Sequence, residues 1–276
     1  MPRPSLLGLA LVAPALAMVA ALFVYPFGFS VVSAFTVGGE PTLANFEKAY
    51  ELYSRDIAFT LFIVLTATAL TALLSIAIAG ALTMGETPWV VAILRWLYRW
   101  PLFIPFIVAA QCMRTFLARN GLMNNTLVAT GVLEPLQTQS FLDWRGIVIT
   151  FVWKQTPFVT LLLAGAMASL DRATIEAGRN LGASRLRVLV ELVLPQVSQT
   201  LLVALILSFV TMLSVLSVPM MVAGSQPTMI TVDMAFRINA YGDYGTANAL
   251  GVISYAMTAV AAVIYLRLQV RREAAA

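Results

Sequence analysis

The chain has 276 residues, of which 60% are hydrophobic and only 11% are charged. A soluble domain carries about 25% charged residues, so the composition excludes a soluble domain and indicates an integral membrane protein. There is no histidine and one cysteine, Cys112, which excludes disulfides, His/Cys metal sites and most nucleophile–base pairs. We therefore predict no catalytic residue, no metal site and no cofactor bound by this chain. The net charge of +4 comes mostly from arginines at the ends of apolar segments, where it bears on membrane orientation.

Six apolar segments are long enough to cross a hydrocarbon core of about 30 Å, which takes about 20 helical residues. The predicted spans are residues 6–35, 57–84, 94–117, 146–170, 197–222 and 244–266. The first is interpreted as a span and not as a cleaved signal peptide, because it is too long, lacks a small-x-small exit and includes Tyr25-Pro26. The third is expected to be irregular, because Pro101 and Pro105 each remove a helical hydrogen bond.

Polar segments connect these spans. Residues 38–56 are predicted to be external, with a short amphipathic helix around Leu43 to Tyr53. Residues 119–143 and 223–243 are predicted to be external loops. The expected fold class is therefore all-α, a polytopic membrane protein with six transmembrane helices in a single domain over residues 1–276.

Six spans place both termini on the same side of the membrane. Arginines concentrate on that side, whereas acidic residues outnumber basic ones on the other. The arginines on the side of the termini are Arg3, Arg95, Arg99, Arg172, Arg179, Arg185, Arg187, Arg267, Arg271 and Arg272. The positive-inside rule then predicts that both termini are cytoplasmic.

Residues 171–195 form a long charged stretch between the fourth and fifth spans, on the predicted cytoplasmic side. Good helix formers from Arg172 to Leu181 predict a first short helix, and Gly182 supplies the positive φ that ends it. Ser184 is expected to cap a second helix, after which Pro195 is expected to force a turn into the fifth span.

Physical arguments leave two interpretations of this stretch open. Its small residues and the charges around them suit a docking surface, because small side chains let another backbone come close. An amphipathic loop lying on anionic lipid, with arginines near the headgroups, would have the same composition.

The spacing within the stretch resembles a family signature. Glu176-Ala177-Gly178, three residues, Gly182, nine residues and Leu192-x-Leu194-Pro195 are similar to E-A-A, three residues, G, nine residues, I-x-L-P. That pattern is the EAA signature of permease subunits of binding-protein-dependent ABC importers. Gly178 stands for the second alanine and Leu192 for isoleucine, which weakens the expectation of close packing at Gly178. The segments NFEKAY and YGTANALGVI also resemble the family, so the resemblance covers nearly the whole chain.

The resemblance implies a type I importer fold, a location in the bacterial inner (cytoplasmic) membrane and a transport role without enzymatic activity. It implies that residues 171–195 are coupling helices that fit a cleft in an ABC ATPase dimer, which would hold ATP and Mg²⁺. The implied coupling residues are Glu176, Ala177, Gly178, Gly182, Ala183, Leu192, Leu194 and Pro195. The sequence agrees, since it has no G-x-x-x-x-G-K-S/T phosphate loop. A second, related but distinct permease and an extracytoplasmic solute-binding protein are the other implied partners.

Polar residues in the spans are candidates for the solute pathway. Arg114 and Lys154 are the charges placed within or near hydrocarbon depth, where a charge usually faces a cavity or a partner. Arg114 has the alternative of snorkelling to the interface, and Lys154 that of a structural pairing with the partner subunit. The candidate pathway residues are Arg114, Trp153, Lys154, Gln155 and Ser214.

A row of hydroxyls accompanies them on the fifth span. Ser208, Thr211, Ser214 and Ser217 are three residues apart and suit either a pathway or ordinary helix packing.

Two cations without an intramembrane carboxylate favour a small polar organic solute that is sugar-like, polyol-like or anionic. The YGTANALGV run resembles the sugar and polyol branch of the family, whereas EAGRNLGAS resembles the polyamine, aminoethylphosphonate and thiamine-type branch, so both remain open. An ion-coupled secondary transporter would predict intramembrane acids and paired broken spans, but every acidic residue is placed in a loop or terminus. A membrane enzyme would predict a constellation of carboxylate, His or Cys side chains at one depth, and none is evident.

Overall fold

The computed structural model describes residues 6–85, 87–223 and 227–273. Within them the fold is all-α, as predicted, apart from one short antiparallel pair of strands, β1 (Thr36–Val37) and β2 (Glu40–Pro41). The helices are α1 (Leu6–Val19), α2 (Tyr25–Ala34), α3 (Ala44–Met84), α4 (Pro88–Leu97), α5 (Phe106–Leu117), α6 (Leu122–Ala129), α7 (Trp144–Ala168), α8 (Arg172–Asn180), α9 (Arg185–Arg187), α10 (Leu194–Ser214), α11 (Ser217–Val222), α12 (Ile230–Tyr241) and α13 (Tyr244–Glu273). Arg3 and the side chains of Arg271 and Arg272 lie outside the described residues.

Several helical segments are long and apolar enough to cross a membrane. Among the described residues the unbroken ones are Leu11–Ala34, Ala44–Met84, Trp144–Ala168, Arg185–Ser214 and Tyr244–Val263. The bent pair Pro88–Phe103 and Phe106–Ala129 supplies a sixth if it counts as one span. The predicted loops are also partly helical, since α6 lies in 119–143 and α12 in 223–243.

Helix α3 runs unbroken for 41 residues. The predicted helix around Leu43 to Tyr53 is therefore present but is not a separate short helix, because it and the predicted second span from residue 57 form this one helix. Its sequence contains no proline and no glycine before Gly80, so nothing breaks it at the membrane boundary.

Asp56 lies within α3 and Asp233 within α12, and both are buried. The expectation that every acidic residue lies in a loop or terminus is thus wrong for these two. The carboxylate of Asp56 accepts a hydrogen bond from the Thr228 N–H at 2.7 Å, and the Thr60 hydroxyl accepts one from the Ile230 N–H at 2.9 Å. These contacts satisfy N–H groups at the start of α12, as capping side chains do.

The predicted third span, residues 94–117, is broken and not merely kinked. A 3₁₀ turn at Trp100–Phe103 separates α4 from α5, and the direction changes by 110° across the break. Pro101 lies in the turn, and Pro105 is the residue before α5. Their missing N–H groups interrupt the helical ladder at the place that the sequence predicts.

Two π-helical segments, Ala20–Val24 and Val188–Val193, each lie just before a proline. Proline has no N–H, so a regular α-helix would leave the carbonyl four residues earlier without its donor. The wider π turn shifts the pairing, and the Leu194 N–H donates to the carbonyl of Leu189, five residues back. The helix therefore passes through Pro195, and the predicted turn at that residue is wrong.

The fifth span consequently differs from the predicted residues 197–222. Arg185–Ser214 is continuous helix, so the span joins the charged stretch without a break. At the other end the backbone becomes extended at Val215, and α11 follows as a separate short helix.

The chain divides into two compact units, residues 1–54 with 233–256 and residues 55–232 with 257–276. In the second unit, one buried apolar cluster joins α3, α5, α7, α10 and α11 around Phe151 and Met212. Another, here called the basal cluster, comprises Ala79, Leu163, Met167, Val188, Leu189, Val193 and Val197. The basal cluster joins α3 and α7 to the start of the long helix 185–214.

In the first unit, Asn45 ties the end of α2 to the start of α3. Its side-chain amide donates to the carbonyls of Ser33, Ala34 and Thr36 at 3.3, 3.1 and 3.1 Å. Gly245 lies against the same amide, since a Cβ built on it would be 2.6 Å from Oδ1 of Asn45. NFEKAY and YGTANALGVI, far apart in sequence, thus meet at this contact.

Asp243 forms a second link in the first unit. Its carboxylate accepts from Lys48 Nζ at 2.6 Å and from the Thr246 hydroxyl at 2.9 Å, and lies 3.6 Å from the guanidinium of Arg237. Burial by itself raises the pKa of Asp243, but the hydrogen bonds from Lys48 and Thr246 outweigh it and hold the pKa below the ordinary carboxyl value.

Candidate functional site

The predicted coupling element consists of α8, a glycine turn and the first turns of the long helix. Asp171 caps α8 by accepting the Ala173 N–H at 2.9 Å. Gly182 has a φ of 84°, the left-handed conformation that favours glycine, and Ser184 caps the next helix by accepting the Arg187 N–H at 3.3 Å. The predicted positive φ at Gly182, here called the hinge, and the predicted cap at Ser184 are confirmed, and the cap at Asp171 is additional to them.

The outer face of the element is open to solvent. Glu176, Ala177 and Gly182 are exposed, and 89% of the Leu181 side chain is uncovered. Leu181 is absent from the predicted contact residues, although its position directly before the hinge glycine is a signal for it. Polar and apolar groups are thus both exposed on this turn.

The inner face of α8 packs closely against the helix that follows it. A Cβ built on Gly178 would lie 2.7 Å from Cδ1 of Leu192, closer than real Cβ atoms approach. The two positions that depart from the family signature therefore touch each other. Glycine, which has no side chain, faces leucine, whose branch lies one carbon further out than that of isoleucine. Gly178 is therefore closely packed within the chain, although its departure from the signature weakens that expectation.

The element stands on the basal cluster. Val188, Leu189 and Val193 are buried within it, and Ile175 of α8 packs against it. Among the predicted coupling residues, the exposed ones are Glu176, Ala177, Gly182 and Pro195, and the half-buried ones are Gly178, Ala183, Leu192 and Leu194. The structure thus gives the signature an exposed face and a packed face on one element.

Lys154 lies at the break in the third span. Its side chain in α7 is buried, and Nζ donates to the carbonyls of Pro101 at 2.6 Å and Leu102 at 3.3 Å. The ammonium also lies 5.1 Å from the centre of the Phe106 ring, in cation–π range. Among the described residues no carboxylate pairs with Lys154. Its charge is instead held by backbone carbonyls of the 3₁₀ turn, where α-helical pairing is interrupted.

The other candidate pathway residues are dispersed. The Gln155 side chain is buried and donates to the carbonyl of Ser208 on α10 at 3.4 Å. Trp153 is half-buried and lines two cavities of about 640 and 550 Å³. Arg114 is exposed near the end of α5, and Ser214 is exposed at the end of α10. The structure brings Gln155 to Ser208 and leaves Arg114 and Ser214 on exposed helix ends.

The hydroxyl row is shorter than predicted. Thr211 and Ser214 donate to carbonyls of their own helix, Leu207 at 2.7 Å and Thr211 at 2.9 Å, as such side chains commonly do. Ser217 begins α11, beyond the break, so it leaves the row.

Comparison with known proteins assigns the chain to a family. The sequence profile described as "Binding-protein-dependent transport system inner membrane component" matches residues 76–273. The sulfoquinovosyl glycerol transport system permease protein SmoG of Agrobacterium fabrum is 27% identical, over 95% of this chain and 90% of its own. The trehalose transport system permease protein SugA of Mycobacterium tuberculosis is 25% identical, over 94% of this chain and 87% of its own.

A solved structure shares the fold. It is the crystal structure of a bacterial alginate ABC transporter in complex with an alginate pentasaccharide-bound periplasmic protein, and it aligns with a TM-score of 0.79 at 20% identity. The alignment covers 95% of this chain and 93% of the other. The profile match spans the end of α3 through α13 and includes the whole predicted coupling element. The chain therefore belongs to the binding-protein-dependent inner membrane components, the transport permeases of ABC importers.

Proposed function

We propose that this chain is one of two related but distinct permeases in an importer that takes up a small sugar-like, polyol-like or anionic solute. An ABC ATPase dimer, holding ATP and Mg²⁺, docks on residues 171–195, and an extracytoplasmic solute-binding protein delivers the solute. The observation that carries this proposal is the exposed face of α8 and its hinge, formed by Glu176, Ala177, Leu181 and Gly182, above a buried apolar base.

Docking requires an element that protrudes and also resists deformation. Exposed Leu181 offers apolar area to a cleft, and Glu176 offers a charge for a polar contact. The basal cluster ties the element to α3 and α7, so a displacement at the exposed face moves membrane helices with it. The excess of arginines around the element supports its placement in the cytoplasm, where the ATPase would hold ATP.

The docking role is tested by Gly182→Asp and Glu176→Lys in the assembled transporter. Aspartate at a φ of 84° is strained and adds a charge at the hinge. We expect the ATPase to be lost from the tagged permease on purification, with uptake falling in parallel, while membrane insertion is unchanged. The matched control is Gly131→Asp, which makes the same change at a loop glycine with a φ of 74°. Full ATPase retention with normal uptake in both hinge variants would refute the docking role.

The proposed solute class is supported by the relatives. SmoG is named for sulfoquinovosyl glycerol and SugA for trehalose, and the fold is shared with an importer of alginate. We propose that Trp153, Lys154, Gln155, Arg114 and Ser214 serve the pathway, with Lys154 acting by holding the break in the third span open to it.

The solute class is tested by measuring ATPase stimulation of the reconstituted transporter by its binding protein. The protein is loaded in turn with a neutral disaccharide, an acidic sugar derivative or spermidine. Stimulation by one of the sugars is expected. Stimulation by spermidine alone would reassign the solute to the polyamine branch.

A further inference from the structure

The segment Pro88–Phe103 has the composition of a helix that lies at a membrane surface. Three of its residues are tryptophan, and Trp96, Trp100 and Phe103 are all largely exposed. The segment turns by 110° relative to Phe106–Ala129, so the two do not share a direction. Tryptophans with arginines between them are enriched at membrane–water interfaces, where the ring is apolar and the N–H is polar.

Two cavities adjoin on this segment and share the Trp96–Trp100 pair. One, of about 590 Å³, is lined by Arg95, Arg99 and the two tryptophans. The other, of about 640 Å³, is lined by the same two tryptophans and by α3 and α7 residues, including Leu74. Among the described residues, no charged side chain lines this second cavity. A basic cavity and an apolar cavity thus meet at an aromatic pair whose ring centres are 4.7 Å apart.

The charge of the first cavity is uncompensated. Arg95 and Arg99 lie one helical turn apart, and within the described part of the chain neither forms an ion pair with a carboxylate. Arg99 Nε donates to the Tyr98 hydroxyl at 3.2 Å, which orients the guanidinium and leaves its charge unneutralised. The group that complements both cavities together has an anionic head and an apolar tail.

We propose that Arg95 and Arg99 bind the phosphate headgroup of an anionic phospholipid, whose acyl chain lies in the apolar cavity beyond Trp96 and Trp100. A lipid satisfies both observations at once, because the guanidinium pair meets the phosphate and the tryptophans meet the glycerol and upper chain. The site lies next to the 3₁₀ turn, whose carbonyls accept hydrogen bonds from Lys154. The bound lipid therefore packs against the break in the third span from outside.

The site is tested by tryptophan fluorescence of the assembled transporter in phosphatidylcholine vesicles. Dibrominated phosphatidylglycerol or dibrominated phosphatidylcholine is added as a minor component, because bromine quenches tryptophan on contact. We expect phosphatidylglycerol to quench at lower mole fraction. Arg95→Gln and Arg99→Gln should each reduce that preference by about fivefold, the equivalent of about 1 kcal/mol per basic residue at a membrane surface. Trp96→Phe with Trp100→Phe should remove the preferential component.

The matched control is Arg119→Gln, an equal charge change at an exposed arginine elsewhere in the chain. It should leave the preference intact. Equal quenching by the two lipids in the unmodified transporter would overturn the proposal, and so would a preference that survives loss of both arginines. A disulfide between a cysteine placed at position 96, in Trp96→Cys, and a cysteine of the second permease would also overturn the proposal, since the surface would then be a protein interface.

Discussion

The contact between Asn45 and Gly245 makes a single added methyl group a severe perturbation. In Gly245→Ala the new Cβ would lie 2.6 Å from Oδ1 and 2.9 Å from Cγ of Asn45. Asn45 is only 7% exposed and its amide donates to carbonyls at the end of α2, so making room for the methyl group would draw the amide away from those carbonyls.

The size of the destabilisation follows from the hydrogen bonds that Gly245→Ala removes and from the crowding that it adds. The amide has two N–H donors, so at most two full hydrogen bonds break, at about 0.5–1.5 kcal/mol each. Overpacking adds about 1–3 kcal/mol, and the higher helix propensity of alanine returns about 1 kcal/mol. The free energy of unfolding should fall by about 3 kcal/mol, which corresponds to a Tm lower by roughly 5 °C for a chain of this size.

The assay is thermal unfolding of the purified transporter, with Gly165→Ala as the matched control. Gly165 lies in α7, and no atom lies within 4 Å of a Cβ built there, so that variant should keep its Tm or gain slightly. In an Asn45→Ala background the clash is gone, and Gly245→Ala should cost little. An equal cost of Gly245→Ala in both backgrounds, or none in either, would refute the reasoning.

Three further predictions follow from the described contacts. Lys154→Met keeps the apolar stem but removes both hydrogen bonds to the 3₁₀ turn, so the free energy of unfolding should fall by about 1–2 kcal/mol. Uptake should fall as well, without a change in solute preference. An altered solute preference at unchanged stability would instead assign Lys154 to solute contact. The folded-state pKa of Asp243 is depressed, so its stabilising link to Lys48 is complete above the ordinary carboxyl pKa and is lost as the pH falls through the lower folded value. Asp243→Asn should abolish that part of the acid dependence of Tm, whereas an unchanged pH profile would contradict the assignment. Gly178→Ala should displace the flexible end of Leu192 and modestly reduce the amount of ATPase retained on purification. Leu192→Val in the same chain should restore that retention. Additive losses of retention in the double variant would argue against direct contact between the two residues.

Local chemistry was enough to predict the turn at Gly182. Glycine tolerates positive φ and serine has a short side chain that reaches the helix N–H groups, so both signals act within a few residues. Hydrophobic length in the same way predicts the membrane segments, because a span must satisfy its backbone inside about 30 Å of hydrocarbon. Such signals do not predict the extent of α3. Its first turns are polar, but nothing in the sequence ends the helix between these turns and the apolar part.

The contacts of Asn45, Gly245 and Lys154 lie beyond local reasoning. Asn45 and Gly245 are far apart in sequence and meet only through the tertiary fold, and Lys154 donates to carbonyls in the 3₁₀ turn at Pro101. A charge in a span predicts a partner or a cavity but not which of the two. The roles of the candidate pathway residues therefore depend on tertiary contacts that the sequence does not show, whereas the proposed coupling residues are recognisable from their spacing.

The failure of the proline rule at Pro195 changes how the coupling element would work. A turn at Pro195 would let the element move while the fifth span stayed still. Instead the π segment re-pairs the backbone, and Arg185–Ser214 is one helix that starts within the element. Bending this continuous helix would break hydrogen bonds, and the turn at Gly182 is itself closed by hydrogen bonds from the Gly182 and Ala183 N–H groups to the carbonyls of Arg179 and Gly178 at 2.9 and 3.2 Å. Under the proposed docking role, a displacement imposed on Leu181 would then be carried by the fifth span as one rigid helix, with the basal cluster taking α3 and α7 along with it.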